Sequence, residues 1–273
     1  DGGYSSNDGS RYFFGSQWTA ENQMKKENKG LFSQIQYTHN DTIYSIGARK
    51  EKVEYTYSPS NLFHRTRKHD LEAFNAGFNA RLNDSTTSFL NYNQAFQAPL
   101  IDRFFNSSGD VNLDMNPSTS KTLNLGLNYL TDKSKTKITL YRSNIEDEMY
   151  YDKPGGKNTN LDESHKQGLE LQNLFEFTPN FSTNVNYAYT DAKIDREDEA
   201  SGAYNGKTNP MTSKHNLSAS MLYSLNDKLN LTLTQKYRSE AFAEEDYSNT
   251  SSQKQKPYYT TNFNLSYNVN NDL

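Results

Sequence analysis

Apolar residues recur at every second position along almost all of this 273-residue chain, in about a dozen runs whose connections alternate between short and long. In one run Phe74, Ala76, Phe78, Ala80 and Leu82 share a phase, while Asn75, Gly77, Asn79 and Arg81 fill the other. Successive side chains of a strand point to opposite sides, so such a run reads as a strand with one apolar and one wet face. Leu123, Leu125, Leu127 and Tyr129 repeat the pattern against Asn124, Gly126 and Asn128. Leu217, Ala219, Met221, Tyr223 and Leu225 repeat it again. Sustained over this length, the pattern predicts an all-β fold, an antiparallel transmembrane β-barrel.

Composition agrees once the wet face is counted. The mean hydropathy of −0.99 and a hydrophobic fraction of 33% would suit a soluble or disordered chain. Twenty tyrosines and 15 phenylalanines argue against disorder, which is poor in aromatics. A barrel wall whose inner side faces water accounts for the low mean. No stretch approaches the roughly 20 apolar residues of a membrane-crossing helix. A net charge of −4 leaves no basic footprint for nucleic acid.

The connections predict two rims. His39-Asn40-Asp41, Asn83-Asp84-Ser85, residues 131–135, Thr178-Pro179-Asn180, Asn226-Asp227-Lys228 and Asn270-Asn271-Asp272 are tight and rich in turn formers. Residues 58–70, 97–120, 150–163, 195–213 and 240–256 are long. Short turns belong on the periplasmic rim and long loops on the outer one. Tyr37, Tyr44, Tyr129, Phe177, Phe181, Tyr223 and Tyr267 lie near tight turns in the apolar phase, as an interfacial aromatic girdle does. The first strand is placed at residues 12–20. Residues 1–10 lack the apolar core of a secretion signal, and the chain ends on a turn, so an internal piece of a longer protein is expected.

Several stretches together carry a family resemblance. Asn93-Gln94-Ala95-Phe96-Gln97-Ala98-Pro99-Leu100 runs into Ile101-Asp102-Arg103-Phe104-Phe105, and Asn116-Pro117 precedes the strand containing Asn124-Leu125-Gly126. Phe32 to Tyr37, Ile46-Gly47-Ala48-Arg49, Asn144-Ile145-Glu146-Asp147 and Gly168-Leu169-Glu170-Leu171 follow with matching spacing. In that order they resemble the barrel of TonB-dependent outer-membrane receptors. The resemblance implies that residues 1–273 are part of a 22-stranded barrel in the bacterial outer membrane, with the plug domain and final strands absent. It implies no enzymatic activity and no cofactor. It implies as partners outer-membrane lipid, a small metal chelate and the TonB complex, the last through the absent N-terminal region.

Within that frame the ligand is expected to be a ferric siderophore, with cobalamin or a passive porin as alternatives. Arg103, Phe104, Phe105, Tyr150 and Tyr151 place a cation and aromatics at the loop rim, which suits an anionic, catecholate-like chelate. Asp191, Asp195, Glu197 and Asp198 are spaced as a calcium-binding loop would be, and would favour cobalamin. No histidine occurs between Gln97 and Pro117, where the haem branch of the family carries its ligand.

Overall fold

The computed structural model describes residues 2–14, 19–59, 64–106, 111–250, 252 and 254–269. Its strands are β1 (Gly2–Phe14), β2 (Thr19–His39), β3 (Thr42–Pro59), β4 (Arg65–Arg81), β5 (Thr86–Gln97), β6 (Ser118–Leu130) and β7 (Ser134–Asp152). There follow β8 (Lys157–Thr178), β9 (Phe181–Arg196), β10 (His215–Asn226), β11 (Leu229–Arg238), β12 (Ala241–Phe242), β13 (Lys254–Gln255) and β14 (Tyr258–Tyr267). All but β12 and β13 form one 12-stranded sheet in which each strand pairs antiparallel with the next in the chain. The two-residue β12 and β13 pair with each other within the β11–β14 connection. Among the described residues β1 and β14 are the two open edges.

Nearest-neighbour order sends successive connections to opposite rims. The turns after His39, Arg81, Leu130, Thr178 and Asn226 therefore share one rim, as expected. The connection after Val269 lies outside the described residues. The turn chemistry is local. Asn40 adopts a φ of 50°, which a two-residue hairpin needs and asparagine tolerates. Asn83 Oδ1 accepts from the Ser85 amide at 2.9 Å, and Asn226 Oδ1 accepts from Lys228 and Leu229 at 2.9 and 3.0 Å.

Residues directly opposite in paired strands share a face, so the register sorts the wall into two surfaces. One row runs Tyr37, Tyr44, Phe78, Leu90, Leu125, Leu140, Leu169, Tyr189, His215 across nine strands. Leu125 and Leu140 are 52% and 51% exposed, a large apolar surface that water would not tolerate but a bilayer does. The opposite face has rows such as Gln34, Gly47, Asn75, Asn93, Thr122, Ser143, Lys166. This polar face is the lumen side. At Gly168 an added Cβ would lie 1.9 Å from the Tyr189 carbonyl oxygen. The empty position lets Tyr141 cross it and reach Thr190 Oγ1 at 2.8 Å.

A second girdle completes the band. Tyr189, His215 and Tyr259 sit eight positions above Phe181, Tyr223 and Tyr267 on the same strands. Eight residues span about 27 Å along a strand, the scale of an apolar band about 25 Å tall.

Three sequence expectations are corrected. Residues 12–20 are not one strand: Tyr12, Phe13 and Phe14 close β1 and pair with Glu21, Ala20 and Thr19 of β2. Most of 58–70 and 150–163 is strand, not loop, because pairing needs only backbone groups and continues after the apolar alternation stops. Above the band the outer face is charged, with Lys50–Glu72 at 3.0 Å and Lys68–Glu54 at 3.1 Å linking β3 to β4.

Candidate functional site

The strands change character as they leave the band. On β3 the outward phase is Tyr44, Ile46 and Ala48, then Lys50, Lys52 and Glu54. The apolar residues switch to the inward phase at Val53, Tyr55 and Tyr57. Leu71 on β4 and Met24 on β2 make the same switch. The upper lumen wall therefore presents apolar surface that must be covered.

The β5–β6 connection covers it. Phe104, Phe105 and Met115 are buried against Met24, Val53, Tyr55 and Leu71. The Phe104 ring centroid lies 4.7 Å from that of Tyr55. The Pro99 carbonyl accepts from Tyr55 Oη at 2.7 Å and from Lys26 Nζ at 3.0 Å. The other side of the connection is tied to β7 and β8. The Asn116 amide donates to Asn160 Oδ1 at 2.8 Å, and Asn160 Nδ2 returns a bond to the Asn116 carbonyl at 3.0 Å. Asn112 Nδ2 donates to the Asn158 carbonyl at 2.9 Å. The connection thus lies across the lumen face, anchored to two separate parts of the wall.

Beside it opens a cavity of about 520 Å³, lined by Gln97, Arg103, Ser118, Ser120, Glu148 and Lys166, among others. Lys166 Nζ is 3.0 Å from Glu148 Oε1, and Asn209 Nδ2 donates to Glu148 Oε2 at 2.9 Å. Glu148 is thus matched by a cation and a neutral donor. Arg103 Nη1 donates to the neutral Asn158 Oδ1 at 3.1 Å, so its charge is available to the cavity. Guanidinium, ammonium and serine hydroxyls together suit an anion rich in oxygen atoms.

Of the five residues expected to touch ligand, Arg103 lines this cavity. Phe104, at 0% exposure, and Phe105 instead form the anchor, because aromatic rings beside an apolar wall gain more from burial than from water. Tyr150 is 3% exposed and packs with Leu161 and Ile194 in a second cluster. Its ring centroid lies 4.7 Å from that of Tyr247 and 6.5 Å from that of Tyr204. Tyr151 is half-buried opposite Asn158 near the β7–β8 hairpin tip. Lys166 and the serines escaped the sequence reading, although their inward phase on β8 and β6 marks them as lumen residues.

The acidic stretch does not assemble. Asp195 takes a 2.8 Å contact from His165 Nδ1 on the outer wall, where Asp191 also lies. Glu197 is fully buried and accepts from the Ala200 amide, whereas Asp198 pairs with Arg196 at 3.1 Å. Local turn bonds and ion pairs draw these carboxylates apart. No group of three or more His, Cys, Asp or Glu converges among the described residues. In the loop above, burial first and then nearby carboxylates raise the phenols of Tyr247 and Tyr204 above the ordinary tyrosine value.

Comparison with known proteins gives a family and a fold. The family model "TonB dependent receptor-like, beta-barrel" matches residues 2–273. No curated protein matches the sequence. Among solved structures, the ferric citrate transporter FecA is similar at 19% identity and a TM-score of 0.78, over 98% of this chain and 43% of that one. The ferric yersiniabactin uptake receptor FyuA from Yersinia pestis is similar at 16% identity and a TM-score of 0.75, over 97% and 42%. The copper transporter OprC is similar at 16% identity and 0.74, over 93% and 46%. The chain thus spans less than half the length of these structures.

Proposed function

This chain belongs to the TonB-dependent receptor-like β-barrel family, whose members lie in the bacterial outer membrane, and from that premise we propose that the whole protein imports a negatively charged ferric chelate of the siderophore class. The observation that carries the reading is the lumen cavity with Arg103 and Lys166 on its lining. Two of the similar structures are named for ferric chelates, which agrees with this cargo. Import would draw on TonB through parts of the protein beyond this chain.

In this reading the chelate enters past the long connections and settles against the lumen wall. Arg103 offers its charge from a connection already held at Pro99 and Asn116, so little ordering entropy is lost on binding. Lys166 stays oriented by Glu148, and the serine hydroxyls supply neutral donors around the chelate rim.

Arg103→Ala in the full-length receptor is expected to weaken capture of an anionic ferric chelate by about 1–3 kcal/mol, as for a hydrogen bond to a charged group. Radiolabelled uptake measures it, and undiminished uptake overturns the assignment of Arg103. Uptake that persists without TonB energy would mark a passive pore instead.

A further inference from the structure

The outward wall of β2–β5 carries a groove that the import reading does not use. Two adjoining depressions of about 450 and 630 Å³ share Tyr92. Their floor is small: Ser33 and Ala48 are paired in one row, and Ala76 stands in the next. Bulky outward neighbours, Ile35, Phe74 and Tyr92 among them, form the sides. The groove runs up the strands within the bilayer-facing band, so a hydrocarbon chain is its natural filling.

Its upper end is cationic. One row above Ala48 stands Lys50, and one row higher Lys29 and Lys52 are directly opposite each other on the outer face. Like charges in that relation repel. Glu72 lies 3.0 Å from Lys50 and Asp70 lies 3.9 Å from Lys52, which offsets part of the repulsion. A phosphate group at this level would offset more, through charge-assisted bonds from the ammonium groups.

We propose that this groove is a binding site for one lipid of the outer leaflet, with an acyl chain over Ala48 and Ala76 and its phosphate on Lys29 and Lys52. The site is continuous with the membrane-facing surface and independent of the lumen cavity. Failure of the import reading would leave it untouched.

The test is native mass spectrometry of the full-length receptor extracted from its membrane in mild detergent. The wild type is expected to retain a phosphate-bearing lipid. Ala48→Trp with Ala76→Trp fills the floor, and Lys29→Gln with Lys52→Gln removes the head contacts. Each pair should lower retention roughly tenfold, the scale set by losing charge-assisted or packing contacts of this kind. Ala219→Trp, outward on β10 and far from the groove, should retain lipid as the wild type does. If the tryptophan pair does not fold, the glutamine pair still decides, since it alters exposed positions only. Equal retention in the glutamine pair and wild type, or a lipid-free wild type, overturns the proposal. So does loss in the glutamine pair with full retention in a folded tryptophan pair.

Discussion

Two clusters fasten long connections to the wall above the bilayer, and they are built on different terms. Around Phe104, apolar side chains from β2, β3 and β4 enclose an inserted aromatic pair, and Tyr55 Oη has a good acceptor in Pro99. Around Tyr150, three phenols meet edge-on or tilted, and polar atoms are trapped with them. Tyr150 Oη, Glu197 Oε2 and Asp246 Oδ2 are buried without a hydrogen-bond partner. The Phe104 cluster has such atoms only in Asn28 and His69, among the described residues. A buried unmet polar group costs about 1–3 kcal/mol. Equal burial therefore does not mean equal hold, and the connection over Tyr150 should open at lower cost than the one holding Phe104.

The largest expected effect is Phe104→Ala, which removes the anchor ring and should destabilise its cluster by about 3–5 kcal/mol. Hydrogen exchange of the Asn112 amide, bonded to the Phe104 carbonyl at 2.7 Å, reports it in the full-length receptor. A loss confined to well under 1 kcal/mol would mean the ring is not the anchor. A sharper contrast comes from making one substitution in both places. Tyr150→Phe deletes an unpartnered hydroxyl and should stabilise by about 1–3 kcal/mol, whereas Tyr55→Phe deletes a bonded one and should destabilise by about 0.5–1.5 kcal/mol. Exchange at Gly206, whose amide donates to the Ile194 carbonyl at 2.8 Å, reads the first, and Asn112 reads the second. Equal signs would erase the distinction between the clusters.

The smallest effect is with pH. Burial first, then carboxylates, raise the phenols of Tyr247 and Tyr204. Their contribution is complete below the unfolded tyrosine value of about 10 and is lost as pH climbs through the raised folded values. Going from pH 8 to 11 should reduce protection at Gly206, after correction for intrinsic exchange, more than at Asn112. Unchanged Gly206 protection would show that these phenols do not titrate with opening.

What was readable in the sequence follows from where the two environments differ. Between the girdles, lipid outside and water inside enforce a strict alternation, so Leu123 to Tyr129 and Leu217 to Leu225 declared both strand and face. Above the band that contrast disappears. Val53 and Tyr55 are apolar on the inward side because a connection covers them, and the phase change after Ala48 is the trace this leaves in the sequence. A reading tuned to one phase saw a loop there. The site divided in the same way. Arg103 was legible as a cation beside a strand end, but the fate of Phe104 depended on partners dozens of residues away. Lys166 and Glu148, brought together by the β7–β8 register, had no local signature.

The long outward row has one more consequence. Tyr37 stands two residues from the short-turn end of β2, Phe78 three from that of β4, Leu125 five on β6, and His215 eleven on β10. The row climbs by roughly one residue per strand, like a spiral stair. With about 3.3 Å per residue and 4.8 Å between strands, that pitch leans the strands by roughly 35–40°, inside the range of outer-membrane barrels. Pitch is a property of the whole cylinder, so any strand added beyond β14 inherits it. A partner arriving at either edge must therefore meet it displaced along its length, and one that arrives level brings its lipid-facing residues to the wrong height.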